Sequence, residues 1–360
     1  LRSDKNPVLF YTPKPSYMKR NLQHIDEIRF LVIHLVLINH WNINLYLANA
    51  PYDHTIFDLW FDLTSPCLAV LSGYLFFYRT QEDFHYLKKL KTRFHSLVVP
   101  YLFWTLSFFV VYIVVKDVYT RLFHSTFWYA PEESLTFKNV LLNIINPPLV
   151  NFWYLQNLVL ILPFNFIIYY LLKNKYVFFA FFLLVLACYS FNLADLYFQS
   201  RFLPYYLMGC YFGYNEKFLP RIPVSKLATL ILIPVLTWVA LSTSNWKDNL
   251  FPVLEIKLCV VFFFLLSVFN ILDSNQNSLV FKYLNKYKPY SFFLFAINMF
   301  LFSFVQRGLL KLGAERYLHY HAFLFLFLAG SVVVVIILAF AIAFLLKRYC
   351  TKFYYTITGR

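Results

Sequence analysis

Apolar runs long enough to cross a bilayer recur along the whole of this chain, near 28–47, 58–78, 95–115, 151–172, 176–195, 201–215, 226–242, 251–272, 289–307 and 321–346. A hydrocarbon layer of ~30 Å takes about 20 helical residues at ~1.5 Å each. Lipid offers the backbone no hydrogen-bond partner, so a chain built of such runs has to satisfy its amides internally, as helices. With 60% hydrophobic and 14% charged residues, the chain is too apolar for a soluble globule. The expected fold is therefore all-α: a polytopic transmembrane helical bundle of about ten spans. A polar arm over 1–24, one membrane domain over 25–348 and a short tail over 349–360 fill the chain.

The net charge of +15 is a matter of topology. If the N-terminus faces the cytoplasm, all but nine of the 32 lysines and arginines fall in segments on that same side. The positive-inside rule then places both termini in the cytoplasm. The basic residues form no continuous stripe on a soluble fold, so no nucleic-acid partner is expected. Anionic lipid headgroups are the expected contacts of the basic segments. No cleavable signal peptide is visible in the polar, proline-containing first 28 residues. The five cysteines are scattered and form no CxxC or Cys/His cluster, so neither a disulfide frame nor a metal site is expected.

Ionisable groups inside a membrane are costly and mark functional paths. Arg29 and His40 bracket the apolar stretch FLVIHLVLIN. Eleven residues at 100° each is only about 20° past three full turns, so both side chains share one face, ~16 Å apart. His34 lies on another face, and its ordinary role is a hydrogen bond to a neighbouring helix. Lys88, Lys89, Lys91 and Arg93 cluster before Pro100; topology and lipid binding explain them as readily as a ligand does. Trp153 and Tyr154 could stack on a sugar ring, but an interfacial aromatic belt is the plainer reading. Ser72-Gly73-Tyr74 lacks the context of a nucleophile elbow, so Gly73 reads as a packing residue. Gly209 and Gly213 form a GxxxG face of the same kind.

The segment LQHIDEIRFLVIHLVLINH resembles the opening helix of the acyltransferase-3 family, where an arginine and a histidine stand eleven residues apart after a Leu-Asp-like start. Here that start reads His24-Ile25-Asp26-Glu27-Ile28-Arg29, with isoleucine in place of leucine. Four further stretches follow in matching order: SPCLAVLSGYLFF (65–77), KKLKTRFHSLVVPYLFW (88–104), NFWYLQNLVL (151–160) and RFLPYYLMGCYFG (201–213). One departure stands out. SFFLFAIN (291–298) ends in Asn298 where the family commonly has histidine, so any chemistry of that histidine is missing here or reduced to positioning by an amide.

The resemblance implies an integral membrane O-acyltransferase of the cell envelope, in a bacterial inner (plasma) membrane. Its donor would be cytoplasmic acyl-CoA, with acetyl-CoA expected, and its acceptor a hydroxyl of a cell-surface polysaccharide or lipid-linked glycan. His40 would act as base or transient acyl carrier, supported by Arg29. Arg29, Lys89 and Arg93 would hold the donor phosphates; Trp153, Tyr154 and Asn298 would lie toward the acceptor. Some relatives carry a fused extracytoplasmic domain, so a separate partner could complete transfer. Two rivals remain: a transporter or flippase of a glycan or lipid intermediate, and an inactive relative acting as an assembly partner.

Overall fold

A computed structural model describes residues 15–40, 63–81, 84–123, 136–145, 152–190, 202–215 and 251–360, and every regular element among them is helical. In chain order these are α1 (Pro15–Asn39), α2 (Thr64–Phe77), α3 (Tyr86–Arg93), a π-helical turn (Phe94–Val98) and α4 (Val99–Phe123). There follow α5 (Phe137–Ile145), α6 (Trp153–Ile161), α7 (Asn165–Lys173), α8 (Lys175–Ser190) and α9 (Phe202–Tyr214). The last are α10 (Phe251–Ser274), α11 (Leu279–Tyr287), α12 (Ser291–Lys311), α13 (His321–Tyr349) and α14 (Thr351–Thr358).

Four of the described helical stretches are long and apolar enough to span a bilayer: Tyr86–Val111, Lys257–Ser274, Leu279–Lys311 and Ala322–Tyr349. The α6–α7 pair makes a fifth if its 63° bend is counted within one span. The runs near 58–78 and 201–215 give described helices of only 14 and 13 residues. The run at 226–242 lies outside the described residues, as does the start of the run near 58–78. The first span differs as well: α1 begins at Pro15, well before the apolar stretch, and its regular part ends at Asn39.

Two prolines perturb helices, one by widening the backbone and one by breaking the helix. Pro100 has no N–H to offer the carbonyl of Ser96, one turn back. The backbone widens there, with Val99 N donating to Phe94 O, five residues earlier. Pro163 ends α6, and the Tyr86 hydroxyl donates across to the Leu162 and Pro163 carbonyls, 3.2 Å from each. A broken helix at membrane depth is tolerated where protein groups take up its backbone in this way.

The core is knit by α1, which packs on α2, α10, α11 and α12 and buries Ile25, Ile28, Phe30, Ile33 and Leu37. At its polar end Glu27 is fully buried, with His24 Nδ1 at 3.0 Å and Lys288 Nζ at 3.6 Å. The other ring nitrogen of His24 reaches Asp273 of α10 at 3.3 Å. This cluster pins three elements that sequence separation would leave unrelated.

Residues 349–360, expected as a tail, instead form a packed helix. Tyr354 and Ile357 of α14 are buried, and Gly359 (φ +69°) abuts the Ser96 carbonyl in the π-helical turn. Trp104 Nε1 donates to Ile357 O at 2.9 Å. Trp104→Phe should therefore cost about 1 kcal/mol, the net worth of one buried hydrogen bond. A fall of a few degrees in thermal unfolding of the detergent-purified protein would show it; an unchanged midpoint would deny the contact any weight.

Candidate functional site

The geometry begins on α1. Asp26 and Arg29 sit three residues apart on one helix face, and Asp26 Oδ1 accepts from Arg29 Nη2 at 3.1 Å. His40 follows the last regular residue of α1, yet its backbone N–H still bonds Val36 O and Leu37 O, both at 3.1 Å. The helical register from Arg29 to His40 is therefore kept, as the spacing predicts. The His40 ring meets α12, where its Nδ1 lies 3.1 Å from Asn298 Oδ1. Asn298 is fully buried, and its Nδ2 donates to Phe295 O at 2.6 Å. Residue 298, where the family commonly has histidine, thus meets the histidine of the first helix.

Below this pair lies a cavity of about 150 Å³. Arg29 and Ile33 of α1, Ser72 of α2, Arg93, Tyr154 of α6 and Phe295 of α12 stand on its walls. Most of the lining is leucine and phenylalanine, and among the described residues it holds two guanidiniums and no carboxylate. Arg29 has Asp26. Arg93 has no carboxylate against it among the described residues; its Nη2 reaches only Leu75 O, at 3.5 Å. A cation left in an apolar recess is a site for an anion.

The hydroxyls beside it are ordered by elimination. The Tyr154 hydroxyl donates to Leu68 O at 2.9 Å, so the 2.7 Å contact with Ser72 Oγ has the serine as donor. Ser72 is thereby a hydrogen-bonded wall residue, as its lack of an elbow motif predicts. Tyr206 donates to Asn165 Oδ1 at 2.9 Å and closes the same wall. The cavity stops at Ile33 and Phe295. His40 stands seven residues beyond Ile33, ~10 Å along the helix axis, and is not itself in the lining.

The candidate residues divide accordingly. Arg29, Arg93 and Tyr154 come together in one cavity, and His40 joins Asn298 above it. Tyr154 is buried rather than in a surface belt; Trp153 beside it is half-buried and outside the lining. Lys89 turns away from the cavity and donates to Phe76 O at 2.8 Å, with Tyr78 O at 3.4 Å. A cation at the end of α2 satisfies orphan carbonyls and complements the helix dipole, which accounts for Lys89 without a ligand. His34 bonds its own helix at Phe30 O (2.8 Å) and Tyr283 of α11 (3.1 Å), the structural role expected of it. Ser96, Tyr206 and Phe295 carry no local signal as wall residues, because their partners lie on distant helices. Among the described residues no group of three His, Cys, Asp or Glu side chains could hold a metal ion.

A helical, largely apolar bundle with several helices long enough to span a bilayer, and an arginine-bearing recess beneath a histidine, defines an integral membrane protein. Its family is settled by comparison. The family profile described as an acyltransferase domain matches residues 22–344, and the chain belongs to the acyltransferase-3 family. Among curated proteins, the succinoglycan biosynthesis protein ExoH of Rhizobium meliloti (strain 1021) is 45% identical over 56 residues. That stretch covers 16% of this chain and 15% of ExoH. No solved structure matches.

Proposed function

We propose that this protein transfers an acyl group, acetyl in the first instance, from acyl-CoA to a hydroxyl of a surface polysaccharide or its lipid-linked precursor. The observation that carries the reading is the cavity: Arg29 and Arg93 open on an apolar recess whose Phe295 wall is hydrogen-bonded through its carbonyl to Asn298, the partner of His40. Acyl-CoA matches that layout, with anionic phosphates at one end and a thioester at the end of a long arm. The arginines offer forked contacts to phosphate oxygens. The recess has room for part of the donor, and the arm has the remaining ~10 Å of α1 to travel to His40. There the imidazole Nε2 or Nδ1 serves as general base for the acceptor hydroxyl, or as transient acyl carrier. About ten spans in a bacterial inner membrane, with both termini cytoplasmic, would put Arg29 and Arg93 within reach of cytoplasmic donor. The polysaccharide acceptor is supported by the partial match to a succinoglycan biosynthesis protein. A separate extracytoplasmic protein could complete the transfer.

Mass spectrometry of surface glycans from cells with and without the gene tests the activity: an acyl mass should vanish with the gene. Unchanged acylation together with a loss of exported glycan would favour the transport reading. For the donor, Arg93→Ala should raise KM for acetyl-CoA by about 10- to 100-fold, the worth of hydrogen bonds to a charged group. Arg93→Lys should recover only part of this, since a point charge cannot fork. Lys89→Ala should change the same KM by less than about threefold, because its partners are helix carbonyls.

A further inference from the structure

The Asn298 amide has one orientation available to it. Its nitrogen donates to Phe295 O at 2.6 Å, and a carbonyl oxygen can only accept. Turning the amide over would set two lone-pair oxygens against each other inside a fully buried site. Oδ1 is therefore the atom that faces His40 Nδ1 at 3.1 Å. Oδ1 carries no hydrogen, so the contact is a hydrogen bond only when Nδ1 supplies one. A neutral imidazole protonated at Nδ1 keeps its lone pair on Nε2.

We infer that Asn298 is a positioning residue for acyl transfer, holding His40 in the Nδ1–H tautomer so that Nε2 is the reacting nitrogen. The inference rests on the role of His40 proposed above and narrows it to one atom. As a base, Nε2 takes the acceptor's hydroxyl proton while the oxygen adds to the thioester carbonyl. The tetrahedral adduct then breaks its C–S bond, and the departing thiolate recovers the proton from Nε2. As a carrier, Nε2 itself adds to the carbonyl and the thiolate leaves; the acceptor oxygen then displaces the imidazole, its proton going to the thiolate. Both routes pass through a cationic ring whose Nδ1–H stays on Asn298 Oδ1. A fixed dipole aimed at that charge stabilises the charged state and needs no reorganisation when it forms. A phenylalanine backbone carbonyl thus sets the amide, and the amide sets the base.

Two measurements separate this from a merely structural amide. The first is ring-15N nuclear magnetic resonance of the labelled full-length protein in lipid, with His40 assigned by its loss in His40→Gln. The wild type should show a protonated Nδ1 and an unprotonated Nε2, and Asn298→Leu should move the ring toward Nε2–H. A wild-type His40 found as the Nε2–H form would overturn the inference outright, whatever any variant does. The second is acyl transfer in native membranes with acetyl-CoA as donor probe. Asn298→Leu should lower kcat by at least about 100-fold, the scale on which a catalytic histidine suffers when the partner fixing its tautomer is lost. KM for acetyl-CoA should move less than about threefold, since residue 298 is outside the cavity lining. Asn298→His, which again offers one donor and one acceptor, should recover at least tenfold of the loss. Full kcat in Asn298→Leu beside an inactive His40→Gln would refute the positioning role and leave the histidine's role standing. Activity in both variants would remove the underlying reading instead.

Discussion

His40→Ala should abolish acyl transfer, with a fall of at least about 10³-fold in turnover, within the range expected when a general base or nucleophile is deleted. The expectation follows from where the ring stands. It sits in register with Arg29 along α1, above a recess whose arginines suit the phosphates of a thioester donor, and it is hydrogen-bonded to the buried amide of Asn298. Removing it leaves Asn298 Oδ1 without that partner, at about 1–3 kcal/mol. That is a tolerable loss, because α1 is held mainly by Ile25, Ile28, Phe30 and the Glu27 cluster. The variant should insert, purify and bind CoA normally while releasing no thiol from acetyl-CoA in native membranes. Turnover within a few-fold of wild type would sink the assignment of chemistry to this residue.

Much of this was legible in the primary structure because membrane chemistry is written locally. Apolar runs announce helices wherever they occur, and every run but 226–242 falls at least partly on a described helix. The Arg29–His40 register is a property of one helix, so a residue count is enough to find it. The close approach of Gly73, Gly209 and Gly213 was readable for a similar reason: without a side chain each of them is fit for one thing. What could not be read was anything made by two segments far apart in the chain. Nothing near residue 298 tells that its amide meets residue 40, and nothing near Glu27 tells of Lys288. The cavity is the same case on a larger scale, since its walls come from six helices and the π-helical turn.

Lys89 is a different case, where a local pattern has several readings. A basic cluster ahead of a helix is equally a set of phosphate ligands, a lipid contact or a set of helix caps, and the carbonyls of Phe76 and Tyr78 favour the last for Lys89. Asn298 is the converse. As a departure from the family pattern it raised the prospect of lost chemistry, yet an amide offers one donor and one acceptor, as a neutral imidazole does. The span count was blurred by the helix break at Pro163, because a run of apolar residues does not reveal whether its helix is straight.

Gly209→Val should leave no folded, assembled protein. A Cβ at residue 209 would overlap the backbone carbonyl of Val70, and one at Gly73 would overlap that of Tyr206. Those obstacles are main chain and cannot rotate aside, so α2 and α9 would have to separate along their whole contact. Between helices in lipid there is no hydrophobic effect to offset the lost contact, since tails are as apolar as the side chains; close packing is the association energy. The consequence reaches the site, because α2 carries Leu68 and Ser72 and α9 carries Tyr206, all on the cavity wall. Gly209→Ala already introduces the offending atom and should also fail, whereas Gly308→Ala on α12 meets nothing within 4 Å. There the same substitution removes a helix-weakening glycine and should be neutral or stabilising by up to about 1 kcal/mol. Size-exclusion profiles of fluorescently tagged variants would read the contrast: a monodisperse peak for Gly308→Ala, and aggregate or no peak for Gly209→Ala and Gly209→Val. A monodisperse Gly209→Val with wild-type acetyl-CoA affinity would mean that α2 and α9 are not in contact through these glycines, and with that contact would go the cavity's geometry.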